Sequence, residues 1–484
     1  MLAHRDGQPG EPVIPVESRR VSSLNFAGLR AHLIGIGGSG MSGAAGLLMG
    51  LGARVTGSDT KPFDGIGALV QAGARVSVGH SADMLDPRTE LVVASAAIPD
   101  TNPELVEARK RNLTLVKYAE LVGMLMRALG KGVAVAGTHG KSTTTAMCVH
   151  LFREAGLDPS FLIGAKSRQL GGGSGLGKGP QFVVESCEFD RSFLQLMPES
   201  AVILNIETDH LDCYDGLNDI RDAFGAFARN VASDGLLVCN GDDPRAVEAA
   251  RSASAVVETF GFSSGNTWQA TNLRADRGCF LFDVEAFGKV LFSTRTSVPG
   301  RHNVANALAA VALAHHAGAD PDSLACAVPG FAGIDRRLSW CGQGRGVTVI
   351  DDYAHHPTEI KVSITAARNH YTPKRTWVVF QPHQHSRTRL MMEDFAASFA
   401  DADEVIVPDV FDARGTSDDG QANGAVELVN RIRSGGGRVR HLPNLADVTD
   451  HLIEHVAEGD LVLTMGAGDI WKVADELVER IRDR

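Results

Sequence analysis

Two glycine-rich loops could bind phosphates. Residues 133–145 read VAVAGTHGKSTTT: an apolar run ends in Gly137, Thr138, His139, Gly140, Lys141, Ser142 and Thr143, and apolar residues at helical spacing follow (Ala146, Met147, Val149, Leu151, Phe152). Such a loop turns backbone N–H groups toward phosphates, its lysine reaches the β- and γ-phosphates, and the next hydroxyl coordinates Mg²⁺. A strict G-x-x-x-x-G-K-[ST] pattern needs glycine at 135, where Val135 stands, so this is a variant, G-T-x-G-K-S-T. The other loop is GIGGSG. Gly35, Gly37 and Gly40 match G-x-G-x-x-G, after an apolar run and before helical periodicity. Asp59 closes the next strand about 20 residues on, placed to accept hydrogen bonds from a ribose. The usual ligand of this pattern is NAD or FAD, and a turn without a ligand is the plain alternative. The spacing marks a nucleotide diphosphate without saying which.

Both loops in one chain narrow the chemistry. A dehydrogenase has no use for the second and a simple ATPase none for the first. Together they point to an enzyme that spends ATP on a substrate that is itself a nucleotide conjugate.

Carboxylates and cationic groups gather at other strand ends. VVESCEFDRSFL brings Glu185, then Glu188 and Asp190; NIETDHLDCY brings Glu207, Asp209, His210 and Asp212. Carboxylates at carboxyl ends of strands beside a phosphate loop suit Mg²⁺, which prefers oxygen ligands. Glu185 and His210 read as cation ligands, with His210 suited to a second, softer site such as Mn²⁺. Asp190 and Asp212 read as turn residues. Further on, GRHNVANALAA carries His302, Asn303 and Asn306 at a helix start, and GIDRRLSW carries Arg336 and Arg337. DDYAHHPTEI and QPHQHSRTR end strands with Asp351, Tyr353, His355, Arg387 and Arg389. Such cations clamp carboxylates and phosphates. Zinc on the histidine pairs is disfavoured, because no cysteine joins them and the arginines repel a cation.

The elements that must position these groups are legible. Apolar runs at 91–97, 133–137, 181–186, 201–206, 236–240, 347–352, 376–381, 404–409 and 461–466 are continuous rather than alternating. They suit parallel strands buried on both faces, with helices between them. The fold class is α/β in three domains: an N-terminal Rossmann-like domain at 26–129, a central P-loop-type mixed-sheet domain at 130–330 and a C-terminal Rossmann-like domain at 331–484. Residues 257–298, with short runs and many turn residues, read as antiparallel β. Residues 1–25 read as a polar, disordered arm.

Composition bounds the function. The chain has 484 residues, a net charge of −11 and 44% hydrophobic residues. That is ordinary for a globular protein and argues against a general nucleic-acid or anionic-membrane binder. Seven scattered cysteines without a C-x-x-C fit a reducing compartment. No apolar stretch is long enough to insert in a membrane, and the expected location is the cytoplasm.

Seven of these motifs, GIGGSGM, GTHGKST, E-x-x-E-x-D, NIETDHLDCY, GRHNVANALAA, DDYAHHPTEI and QPHQHSRTR, occur in this order in the Mur ligases. The chain resembles that family over about residues 30–480. The resemblance implies an ADP-forming ligase of peptidoglycan precursor synthesis. ATP phosphorylates the lactyl carboxylate of UDP-N-acetylmuramate, and L-alanine's amine attacks the acyl phosphate. It implies a uridine nucleotide on Gly35, Gly37, Gly38, Ser39, Gly40, Asp59 and Ser95. It places ATP on residues 137–143 with His302, Asn306, Arg336 and Asp351, and the amino acid's carboxylate near Tyr353, His355, Arg387 and Arg389. Lys141, Glu185, His210 and Arg387 carry catalysis. Ser142, Glu185 and His210 hold Mg²⁺, at two sites. The state expected is a monomer or weak homodimer.

The chain departs from the family pattern at Ser142, where threonine is common, and at Cys187, which replaces a carboxylate. DARGTSDDG (412–420) is unlike the usual pattern and receives no substrate contact. Members that add later residues use a carbamylated lysine after the D-H motif; no lysine lies here between Lys178 and Lys289. A ligase that recycles a preformed tripeptide is the nearest alternative, and an NAD-dependent oxidoreductase is one of another class.

Overall fold

The computed structural model describes residues 25–63, 65–411 and 424–482. The expected arm, all but its last residue, and the DARGTSDDG segment lie outside them.

Three sheets follow one another along the chain. The first holds β1 (Arg30–Ile34), β2 (Arg54–Asp59), β3 (Arg75–Val78), β4 (Leu91–Ala94) and β5 (Thr114–Lys117), all parallel, in the order 3-2-1-4-5. The second holds β6 (Lys131–Ala136), β7 (Ser160–Ser167), β8 (Gly172–Gly175), β9 (Gln181–Glu185), β10 (Ser200–Ile203), β11 (Leu236–Asn240), β12 (Val256–Gly261), β13 (Trp268–Asp276), β14 (Cys279–Ala286) and β15 (Lys289–Arg295). Their order is 15-14-13-12-11-10-6-9-7-8. The third holds β16 (Ser339–Gly344), β17 (Val347–Asp352), β18 (Arg375–Phe380), β19 (Glu404–Val407), β20 (Val439–His441) and β21 (Asp460–Met465), in the order 16-17-21-18-19-20, with only β16 antiparallel. This is the expected three-domain α/β architecture with a mixed central sheet.

The expectation for 257–298 holds only from Trp268 onward. β12 runs parallel to β11, because the helix Pro244–Ala250 carries the chain back across the sheet. Only short turns join β13, β14 and β15, and these pair antiparallel. The β7–β8 hairpin was not expected: glycine contributes no side chain to an alternating pattern, and β8 reads GGSG.

Packing distinguishes the two junctions between the sheets. One buried cluster joins Leu121, Val122 and Leu125 of the helix Tyr118–Leu129 to Phe193, Phe224 and Phe227 of the central domain. Phe193 stacks on Phe227 at 5.0 Å and meets Phe224 edge-on at 5.1 Å. Among the described residues, no buried apolar cluster includes strands of both the second and the third sheet. That junction is made by polar side chains, and the phosphate loop lies on it. No described helix is long and apolar enough to cross a membrane.

Candidate active site

The phosphate loop follows β6 and opens the helix Lys141–Glu154. Gly140 is left-handed at φ +82°, and a Cβ there would sit 2.8 Å from the Asn306 side-chain oxygen, so only glycine fits. Asn205 clamps the loop: its backbone oxygen accepts from the Thr138 N–H at 3.0 Å, its side-chain oxygen accepts from the His139 N–H at 2.7 Å, and its amide donates to His139 O at 3.0 Å. The amides of the first helical turn, beginning at Lys141, have no acceptor within the helix, so they face outward as anion donors.

Lys141 completes the cradle. Its ammonium donates to Gly137 O at 2.6 Å and Thr138 O at 3.0 Å and pairs with Glu188 at 2.9 Å. Burial works against this charge, but Glu188, with Cys187 and Glu185 nearby, more than offsets it and holds the ammonium above its ordinary range. Ser142 Oγ donates to Glu185 at 3.0 Å, and Glu185 also accepts from the Gly164 N–H at 2.7 Å. His210 stands at φ +52°, with Nε2 3.7 Å from Glu188 and 3.8 Å from Asp209. A hydroxyl, two carboxylates and an imidazole beside phosphate donors form an oxygen-rich set that fits Mg²⁺.

The opposite wall comes from the third sheet. Arg387 stands beside it, in an adjoining pocket that it shares with Asp209 and His210 rather than in the cleft itself; it donates to Asp209 at 2.7 Å, and both side chains are almost fully buried. Burial pushes the Asp209 carboxyl up, but Arg387 and His210 outweigh it and leave the group well below its usual range. Tyr353 and His355 share the large cleft with Lys141, Glu185, His210 and Cys187. Burial, opposed by Glu359 but aided by Arg387, pushes His355 down to about 4. Arg389 is exposed on the helix His385–Leu390 and lines neither this cleft nor its neighbour.

A second cavity lies on the other side of Gly140. His302, Asn303, Asn306, Arg337, Asp352 and Glu359 line it. Burial, reinforced by Arg337, pushes His302 down to about 4, so its imidazole is neutral. Asp351 and Asp352 take different places because successive strand residues point to opposite faces. Asp351 accepts from Arg336 at 2.9 Å and from Thr464 at 2.6 Å, while Asp352 lines the cavity. Burial raises Asp352 to about 6 despite Arg337 and two backbone donors. Arg336 also donates to Gly466 O and Gly468 O, which ties it to the loop after β21, although it reaches the large cleft.

The sequence singles out Arg337 and Glu188 among the strand-end charges without giving either a role, and it passes over Asp352 and Glu359. Only a doubled Asp-Asp and the Glu of HHPTEI mark these two. The clamp of His139 by Glu207 at 3.4 Å and Glu359 at 3.2 Å could not be read from the chain, because it crosses the junction of two domains.

The first glycine loop stands apart. Gly37 N–H donates to the Asp59 carboxylate at 2.9 Å, which ties the end of β2 to the loop. A Cβ at Gly37 would lie 2.6 Å from Phe63 and 2.8 Å from Asp59. Gly38 caps the helix Ser39–Gly50, and Ser95 lies against Gly35. Tyr118 presses on Gly40; burial, then the charge of Glu185, raises its phenol above the usual range. At the same sheet end, His80 bonds a fully buried Glu104 at 2.8 Å, and its Nε2 is buried without a hydrogen-bond partner.

The clamp on His139 has a pH signature. Burial lowers its pKa, but Glu207 and Glu359 raise it to about 9 from the ordinary 6.5. The folded value lies above the unfolded one, so the stabilisation is complete below pH 6.5 and is lost as pH rises through 9. The melting-temperature advantage of wild type over His139→Gln should narrow across that interval; a constant advantage would show that no charged clamp exists.

Residues 30–129 match the family description "Mur ligase family, catalytic domain", 135–314 match "Mur ligase middle domain" and 336–468 match "Mur ligase, glutamate ligase domain". The chain is 41% identical over 450 residues to the UDP-N-acetylmuramate–L-alanine ligase of Clostridium novyi, covering 93% of this chain and 97% of that one. It is 42% identical over 454 residues to the enzyme of the same name from Pelotomaculum thermopropionicum, with the same coverage. Among solved structures, the UDP-N-acetylmuramate-alanine ligase of Thermotoga maritima superposes with a TM-score of 0.80 at 30% identity, covering 93% of this chain and 99% of that one. A murein peptide ligase of Psychrobacter arcticus superposes at 0.71 with 26% identity, covering 94% and 99%. These likenesses run the length of all three sheets: the chain belongs to the Mur ligase family.

Proposed function

We infer that this enzyme is the ADP-forming ligase that joins L-alanine to the lactyl carboxylate of UDP-N-acetylmuramate. The observation that carries this reading is the single large cleft into which the Lys141 cradle, Glu185 and His210 open from one domain, and Arg337, Tyr353 and His355 from another. A phosphoryl donor and an acyl acceptor can meet there.

ATP would lie with its nucleoside in the cavity of His302, Asn306 and Asp352 and its triphosphate along Gly140–Thr143. A carboxylate oxygen attacks the γ-phosphorus and the bond to ADP breaks. The amine then attacks the carbonyl carbon, loses its proton, and phosphate leaves. Lys141 and Arg337 neutralise charge that builds on the transferred group. Ser142, Glu185 and His210 would hold Mg²⁺ at two sites, and bound Mg²⁺ supplies charge neutralisation and phosphate alignment. Arg387, fixed by Asp209, orients the amino acid's carboxylate. The remaining work is positioning.

The division of labour follows the sheets: UDP substrate on 26–129, ATP on 130–330, ligation completed by 331–484. A monomer or weak homodimer in the cytoplasm fits the acidic chain and its free cysteines. The L-alanine reading is preferred to tripeptide recycling because the relatives so named are more similar along the whole chain.

Lys141→Ala should lower kcat by at least about 10²–10³-fold, the usual loss for one preorganised charge, measured as phosphate release by a folded variant. Near-normal turnover would remove Lys141 from the chemistry. Gly37→Val should raise KM for UDP-N-acetylmuramate strongly while leaving KM for ATP little changed. A defect confined to ATP would mean that the two loops are assigned the wrong way round.

A further inference from the structure

His139, Glu207 and His356 form a cluster that the ligation chemistry does not use as a set. One ligand atom from each can be chosen so that all three lie within 4.8 Å of one another. His139 and Glu207 belong to the central domain, and His356 begins the helix Pro357–Tyr371 of the C-terminal domain. His139 Nε2 lies 3.4 Å from Glu207 Oε2, and His356 Nδ1 lies 3.9 Å from the same oxygen. Zinc bonds of about 2.0–2.1 Å in tetrahedral geometry set donors about 3.4 Å apart. One pair already has that spacing and another is within half an ångström of it.

The far side of each ligand is also arranged for a metal. His139 Nδ1 faces Glu359 at 3.2 Å and His356 Nε2 faces Thr208 O at 3.2 Å, while Thr358 Oγ1 donates at 2.7 Å to Glu207 Oε2, the ligand oxygen itself, and holds it in place. Metal-binding histidines characteristically give their other ring N–H to a carboxylate or a backbone carbonyl, which fixes the tautomer and aims the free nitrogen. His356 Nδ1 accepts only a long 3.3 Å bond from the Thr358 N–H, which a metal would displace.

We propose that His139, Glu207 and His356 form a Zn²⁺ site with an open fourth position, distinct from the Mg²⁺ residues, that locks the central and C-terminal domains together. Two imidazoles and one carboxylate suit Zn²⁺ better than Mg²⁺, and zinc takes the place of the proton that otherwise lies between His139 Nε2 and Glu207, releasing it to solvent. His139 and Glu207 also line the nucleotide cavity, so zinc and ATP compete.

The test is calorimetric titration of Zn²⁺ into the full chain at saturating Mg²⁺. One equivalent should bind tightly and be weakened by added ATP. His356→Asn keeps an acceptor at the helix start and should lose roughly 10–100-fold in zinc affinity or more, as should Glu207→Gln. His210→Ala, which removes a Mg²⁺ ligand, and His455→Ala, which breaks the stacked His451–His455 pair at 4.0 Å, should not change that phase. Co²⁺ in place of Zn²⁺ should give the intense visible absorption of four-coordinate geometry, which reads the site without any variant. The proposal is overturned if no saturable phase exists, if the phase survives either His356→Asn or Glu207→Gln in a folded protein, if it vanishes with His210→Ala or His455→Ala, or if Co²⁺ shows only weak six-coordinate bands.

Discussion

A lysine ammonium held out of water at the start of a helix is the constraint on which this cleft depends. Lys141 keeps its charge only because Glu188 and the carbonyls of Gly137 and Thr138 surround it. Each of those groups depends on another. Tyr214 donates to Glu188 O at 2.5 Å, and the loop carbonyls are held in place by the Asn205 clamp at the end of β10. The loop amides stay outward because Gly140 takes a left-handed turn under Asn306. Removing one partner of such a buried pair costs more than forming the pair gains, because the other charge is left stranded.

The junctions of the three domains divide the remaining tasks. An apolar contact through Phe193 fixes the N-terminal domain to the central domain, so the first glycine loop and the phosphate loop keep a set relation. The C-terminal domain meets the central one through ion pairs and hydrogen bonds: Arg387 with Asp209, Glu359 with His139, Thr358 with Glu207. A junction of polar contacts, unlike a large apolar one, leaves relative domain motion as the ordinary expectation.

Much of this was legible in the chain. The glycine spacings located both loops, and the continuous apolar runs located the parallel strands, because burial on both faces makes the runs continuous and their shortness between turn residues sets them apart from helices. What escaped reading has physical causes. Which of Asp351 and Asp352 faces the cavity beside Gly140 depends on the register of β17, and a shift of one residue would exchange them. Arg336 and Arg337 divide in the same way: the first turns to Asp351 and the carbonyls of Gly466 and Gly468, and the second toward Glu359. Glu188 stands out as a strand-end carboxylate, but its pairing with Lys141 does not, because a carboxylate beside a lysine in space need not lie beside it in sequence. β8 was hidden by its own glycines, and β12 by an early start assigned to the antiparallel segment.

The central claim is that the carboxylate oxygen of the nucleotide substrate attacks the γ-phosphorus before the amine arrives. It is tested most directly with UDP-N-acetylmuramate labelled with ¹⁸O in the lactyl carboxylate, turned over with ATP and L-alanine, with the released phosphate analysed by mass. An acyl phosphate transfers one labelled oxygen to each phosphate, because the carbon–oxygen bond breaks when the amine adds. Unlabelled phosphate, formed while the amide product accumulates, would contradict the account.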